Sequence, residues 1–138
     1  MAELVFDQKE RIGAWVAQQV GQGASWGSFY ALGILQGDEV IAGVVFNNFN
    51  GANATCHIAI ARHTRLIPEM ITASCRYAFE HCGLKRLTGM VPSNEPKILE
   101  FDKHLGFEEE FLMKDGAPGA DMHVLVMRPD TCRWLRKE

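Results

Sequence analysis

The first apolar period along the chain is helical. Ile12, Trp15, Val16 and Val20 recur at i, i+3, i+4 and i+8, which predicts a helix over residues 7–20. Asp7 is its expected N-cap, and Gly21 and Gly23 its stop. The period then changes. Apolar runs at residues 29–35, 40–49 and 54–60 are divided by Gly37-Asp38 and Asn50-Gly51, both turn dipeptides. This predicts three strands in an antiparallel meander. The helical period returns after Pro68, a residue suited to a first turn, with Ile71, Cys75, Ala78, Phe79 and Cys82 forming one stripe and Gly83 at the C′ position. A short β-like run at 86–91 follows. Pro96 then opens another helix, with Ser93 or Asn94 as cap, a stripe of Ile98, Phe101 and Leu105, and Gly106 as its end. Residues 107–113 and 122–127 read as a closing hairpin around Asp115 to Gly119. The order is helix, three strands, helix, strand, helix, two strands: a mixed sheet covered by helices, with a βαβ crossover in the middle.

Composition narrows this picture. The chain has 138 residues, so a single domain spanning 1–138 is expected. Hydrophobic residues at 47% and charged residues at 22% are ordinary globular values and exclude a low-complexity chain. A formal charge of −3 without a basic run argues against nucleic-acid binding. The strongest apolar stretch, 40–46, is far short of the roughly 18 residues a membrane span needs. The start MAELVFD has neither a basic n-region nor an apolar h-region, so a cytoplasmic protein is expected. Cys56, Cys75, Cys82 and Cys132 include no CxxC pair and no histidine at finger spacing, so no metal site is expected. They read as small reduced hydrophobes, and Cys75 and Cys82, seven apart, share the core face of their helix.

One block carries more than pattern. RLTGMVPSNEP beginning at Arg86, followed by FDKHLGF beginning at Phe101, resembles the strand, "S-N" loop, helix and "GF" ending of the GNAT superfamily of acetyl-CoA-dependent N-acetyltransferases. The resemblance extends from about Phe29 to Met127. The tail MRPDTCRWL from Met127 is similar to the ending of a GNAT-like subgroup found in phages and prophages. The resemblance implies an α/β (α+β) fold with a mixed, mostly antiparallel central sheet and helices on both faces. It also implies acetyl transfer from acetyl-CoA, a cosubstrate, to a primary amine by direct attack. Two departures stand out. The family's R/Q-x-x-G-x-G/A signature, whose N–H groups cradle the pyrophosphate, corresponds here to residues 61–70, which contain no glycine. The tyrosine that many members carry four residues before the glycine of "GF", where it protonates the leaving thiolate, is here Asp102. The loop asparagine corresponds to Asn94 or, counted back from Gly106, to Glu95.

The resemblance puts the pantetheine arm against the backbone of the strand ending at Ala61, with Ile58, Ala59 and Ile60 as candidates. Pyrophosphate needs cations or free N–H groups at a helix start. Arg62, His63 and Arg65 cluster just before Pro68, and the two arginines are the better phosphate clamps. A lysine-like amine, pKa about 10.4, is roughly 4–5 kcal/mol short of its neutral form at pH 7, a cost a general base helps recover. His57 is the candidate base, with an ordinary pKa of about 6.5. Alternation puts His57 and Ala59 on one sheet face and Cys56, Ile58 and Ile60 on the other. Asn47 and Asn48 are candidates for holding a polar acceptor, or for capping the turn beside them. Trp15 and Trp26 read as core or rim. Trp134 in the charged tail reads as docking onto its own domain or onto a second copy in a homodimer. Two other readings remain open: a GNAT fold that no longer catalyses and binds CoA or a protein, and an interaction module of phage assembly.

Overall fold

The turn signals and apolar runs are realised as a single sheet in the computed structural model, which describes residues 1–21, 23 and 25–135. The elements are β1 (Ala2–Val5), α1 (Lys9–Val20), β2 (Phe29–Gln36), β3 (Glu39–Asn47), β4 (Asn53–Ile60), α2 (Ile67–Arg76), β5 (Arg86–Pro92), α3 (Pro96–Leu105), β6 (Glu108–Ala117) and β7 (Ala120–Met127). A π-helical turn (Tyr77–His81) continues α2, and a 3₁₀ turn (Arg133–Leu135) follows β7. Among the described residues seven strands form the sheet, in the order β1-β2-β3-β4-β5-β7-β6. Its pairings are antiparallel except β4 with β5, the two strands that flank the α2 crossover. This is the mixed sheet expected, with helices on both faces.

The differences from expectation are local. β1 escaped the sequence because its four residues are too few for a period; only pairing with Gly33 to Gln36 defines it. Gln8, not Asp7, occupies the N-cap of α1, and Glu95, not Ser93 or Asn94, that of α3; neither makes a side-chain capping bond. Ser93 is engaged elsewhere: its N–H donates to Asp121 O at 2.8 Å and its Oγ accepts from Asp121 N at 3.0 Å, tying the start of α3 to β7. The helix after Pro68 begins at Ile67 and widens at Tyr77, where Cys82 N–H reaches back five residues to Tyr77 O at 2.9 Å. Helical stripes alone do not distinguish that wider turn from an α turn.

Both sheet faces are buried over β3, which therefore reads as a continuous apolar run rather than an alternating one. On one face α1 packs Ile12 and Val16 against Ala31, Leu35 and Val45. On the other, α2 and α3 cover Val44, Phe46, Leu87 and Leu125 with Met70, Ile71, Cys75 and Leu105. Trp134 docks on its own domain, its indole N–H donating to Leu105 O at 2.8 Å. Among the described residues no helix is long and apolar enough to cross a membrane.

The seat of α1 depends on two glycines paired across β2 and β3, Gly33 and Gly43. A Cβ at Gly33 would lie 2.6 Å from Ala42 O and 2.7 Å from Ile12 Cδ1; at Gly43 it would lie 2.7 Å from Val16 Cγ2 and 2.9 Å from Ile12 Cγ2. Bare backbone lets the helix settle onto the sheet. Urea unfolding should therefore show Gly43→Ala destabilised by about 1–2 kcal/mol, because methyl groups can shift, and Gly33→Ala by about 2–3 kcal/mol, because a backbone carbonyl cannot.

Candidate active site

β4 and β5 are paired only where they begin. The parallel ladder joins Asn53, Ala54 and Thr55 to Arg86, Leu87 and Thr88 and then stops. β4 remains bonded to β3 as far as Ile60, and β5 to β7 as far as Pro92. The two strands therefore part along their second halves, and among the described residues the backbone groups facing the gap have no ladder partner. A polar cluster holds the closed end. Thr88 Oγ1 donates to Asn53 Oδ1 at 2.7 Å, the Arg86 guanidinium reaches Thr88 Oγ1 at 3.2 Å, and Glu110 bridges Arg86 at 2.9 Å and Arg128 at 3.5 Å.

The open end leads to the starts of α2 and α3, which directly follow β4 and β5. Just before α2, the N–H groups of His63, Thr64 and Arg65 have no partner within the chain among the described residues, and Leu66 at the N-cap offers no capping side chain. Free N–H groups at a helix start attract anions. The arginines are placed unequally. Arg62 is held by Glu39 at 3.0 Å and Gln36 at 2.6 Å. Arg65 is exposed and forms no ion pair among the described residues.

The gap has different chemistry on its two faces. Cys56, Ile58 and Ile60 pack toward α2 and α3, whereas Ala59 packs toward α1. His57 shares the α1 side, where its ring lies 4.6 Å from that of Trp26 at 49°. Trp26 is anchored by its indole N–H to Gly13 O at 2.8 Å. Asn47 Nδ2 donates to Trp26 O at 3.3 Å, so Asn47 Oδ1 is left to accept from His57 Nε2–H at 2.9 Å. This chain of bonds selects the neutral tautomer with a bare lone pair on Nδ1. Burial lowers the pKa of His57 to about 4, well below the ordinary value expected from the sequence, because desolvation penalises the charged imidazolium.

Asp102, on α3, stands on the other face. Its charge is close enough to Cys56 to help push that thiol's pKa upward, second to burial itself. Its carboxyl has no hydrogen-bond partner among the described residues, and burial raises its pKa to about 6. Asn48 is exposed at φ 57°, a left-handed turn position apart from Asn47, and it is Asn50 Oδ1 that accepts from the turn's Ala52 and Asn53 N–H groups. Asn94 is exposed in the turn before α3. A cavity of about 10 Å³, lined in part by Cys56, Ile58, Ser74, Leu105 and Phe107, adjoins the start of the gap. It has room for a single water. An open groove of about 690 Å³ beside Phe6, Tyr30, Tyr77 and His81 is larger, and none of the candidate site residues lines it. Among the described residues no three His, Cys, Asp or Glu side chains cluster as metal ligands.

No protein-family model and no curated protein sequence matches this chain. Solved structures do. A variant of the spermidine N-acetyltransferase SpeG from Vibrio cholerae superposes with a TM-score of 0.76 at 12% identity, covering 98% of this chain and 96% of that one. SpeG from Vibrio cholerae in complex with CoA and spermine gives 0.73 at 12% identity, covering 98% of both chains. A dodecameric spermidine N-acetyltransferase from Vibrio cholerae gives 0.71 at 12% identity, covering 92% of this chain and 93% of that one. The fold is that of the GNAT N-acetyltransferases.

Trp26 is the neighbour of His57 and Asn47 that sequence reasoning missed. It is distant from Asn47 and His57 along the chain, and nothing in its own neighbourhood signals that it positions them. The meander does signal the other pair: the register that opposes Asn47 to Thr55 puts His57 one step along the same face.

His57 and Asp102 give stability opposite pH slopes. The pKa of His57 is lower in the folded than in the unfolded state, so stability falls as pH drops from about 6.5 to 4. The pKa of Asp102 is higher in the folded state, so stability is greatest at low pH and falls as pH rises from about 4 to 6. Each full swing is worth about 3 kcal/mol. Urea titrations between pH 4 and 7 should show Asp102→Asn gaining a rising slope relative to wild type, and His57→Ala a falling one.

Proposed function

We propose that this chain is an N-acetyltransferase that moves an acetyl group from acetyl-CoA to a primary amine by direct attack. The parting of β4 and β5, with a bare imidazole nitrogen on one face and a half-buried carboxyl on the other, is the observation that carries the reading. The neighbour holding CoA and spermine, in the same fold, supports it. In this reading the pantetheine arm pairs with the backbone of Ile58, Ala59 and Ile60, and the pyrophosphate meets the loop N–H groups before α2 together with Arg65, with Arg62 released from Glu39 as a second clamp. Asn94 borders the far lip. The amine nitrogen attacks the thioester carbon, forming C–N and breaking C–S. His57 Nδ1 takes the ammonium proton, Asn47 keeps the ring aimed, and Asn48 borders the acceptor's entry. Asp102, at pKa about 6, is a stronger acid than the departing thiol, near 8.5, and supplies its proton. Four free cysteines support a cytoplasmic setting, and the tail from Met127 supports a place in the phage and prophage subgroup. The dodecameric neighbour supports self-association.

A catalytically silent GNAT fold, binding CoA or a protein, is the second reading. The missing glycines between residues 61 and 70 and the small cavity favour it. Calorimetry separates the two. Acetyl-CoA should bind, and Arg65→Ala should weaken CoA by about tenfold while leaving pantetheine unchanged, since only CoA carries the pyrophosphate; Arg62→Ala should do less. No heat at about millimolar acetyl-CoA removes the enzyme reading, because such weak binding amounts to only about 4 kcal/mol.

Kinetics test the base. With spermidine as first trial acceptor, His57→Ala should lower kcat/KM by about 10²-fold, the low end for a general base, because a group of pKa about 4 is a weak one. Wild-type rates should show no ionisation near pH 6.5 from this residue. Asn47→Asp should bring one into view by placing a carboxylate on Nε2–H and raising the imidazole pKa. An Asn47→Asp profile that overlays the wild type assigns the proton to another group.

A further inference from the structure

β6 is the outermost strand, bonded to β7 along one edge and, among the described residues, to no strand along the other. Three consecutive large apolar side chains stand out from it: Phe111 at 48% exposure, Leu112 at 48% and Met113 at 37%. They do not share a face. Phe111 and Met113 register with Val124 and Met122, and Leu112 with His123. A ligand lying on one face of the sheet would leave either Leu112 or the other two in water. A strand laid along the edge flanks all three. Edge strands are usually blunted by proline, by inward charge or by bulges. Here the irregularities fall at Glu109/Phe111 and Met113/Ala117, at the two ends of the apolar stretch, and no proline interrupts it.

The stretch is also its own complement. Read antiparallel about Leu112, the segment Glu110-Phe111-Leu112-Met113-Lys114 opposes Glu110 to the partner's Lys114, Phe111 to the partner's Met113, and Leu112 to its own counterpart. Each charge pair and each aromatic–methionine pair then occurs twice, as a two-fold interface requires. Glu110 is already oriented by Arg86 and Arg128, while Lys114 forms no ion pair among the described residues. Parallel pairing in register would oppose Glu110 to Glu110. We propose that two copies of this chain dimerise by antiparallel pairing of β6 with β6, centred on Leu112, so that one sheet runs through both protomers.

Sedimentation of the full chain from about 1 to 100 µM reads the assembly, the upper end matching weak to moderate affinities. The expected result is a species of about twice 15.4 kDa. Leu112→Lys opposes two like charges on the axis and should raise the dimer Kd by about tenfold or more. Leu112→Cys should yield a covalent dimer on mild oxidation, whereas Met113→Cys, which faces the partner's Phe111, should not. Both cysteine variants are compared with wild type to discount the native thiols, and circular dichroism confirms that each variant is folded. A wild type monomeric at about 100 µM overturns the proposal. So does a dimer that survives Leu112→Lys, and so does equal crosslinking of the Leu112→Cys and Met113→Cys variants; if Leu112→Lys does not fold, the crosslinking pair decides alone.

Discussion

A backbone amide released from its ladder must find another partner or face solvent, and β4 and β5 release theirs without leaving the sheet. Each strand is held on its outer side, β4 by β3 and β5 by β7, while the inner edges part beyond Thr55 and Thr88. Neither strand is free to move away, because each is part of a larger sheet. Neither closes up, because the helices that follow them start from the separated ends. The Arg86–Thr88–Asn53 cluster fixes the point from which they diverge. His57 and Asp102 lie on opposite sides of that sheet, Asp102 beside Cys56, because successive residues of β4 point to opposite faces.

Much of this was legible beforehand. Turn dipeptides and periodicity located every described helix and all strands but β1, and alternation assigned His57 and Cys56 to opposite faces. What was not legible depends on three-dimensional environment. No single-residue property of His57 announces that Trp26 will shield it, and so its lowered pKa is a property of packing, not of sequence. The same holds for Asp102, where the chain shows only that tyrosine is missing. The arginines show a third kind of limit. Arg62 and Arg65 look equivalent in the chain, but the β2–β3 hairpin brings Gln36 and Glu39 to one of them only.

The histidine and the aspartate also clarify how such a site avoids neutralising itself. Placed side by side, the two would form an ion pair, with imidazolium and carboxylate each stabilising the other's charged form. The intervening sheet keeps desolvation, rather than mutual attraction, as the main influence on both. Each group is therefore pushed toward its uncharged form, the lone pair on one side and the acidic proton on the other.

The π turn at Tyr77–His81 has a consequence for comparing this chain with others. A π turn contains one residue more than the α turn it replaces, and here it closes the helix before the chain leaves for β5. Here Ile71 and Cys75 before it, and Ala78 and Phe79 within it, all remain buried. A relative lacking that extra residue would present the same core with a regular helix. An alignment between the two should therefore open its gap in the last turn of this helix, against the usual rule that length differences belong in loops.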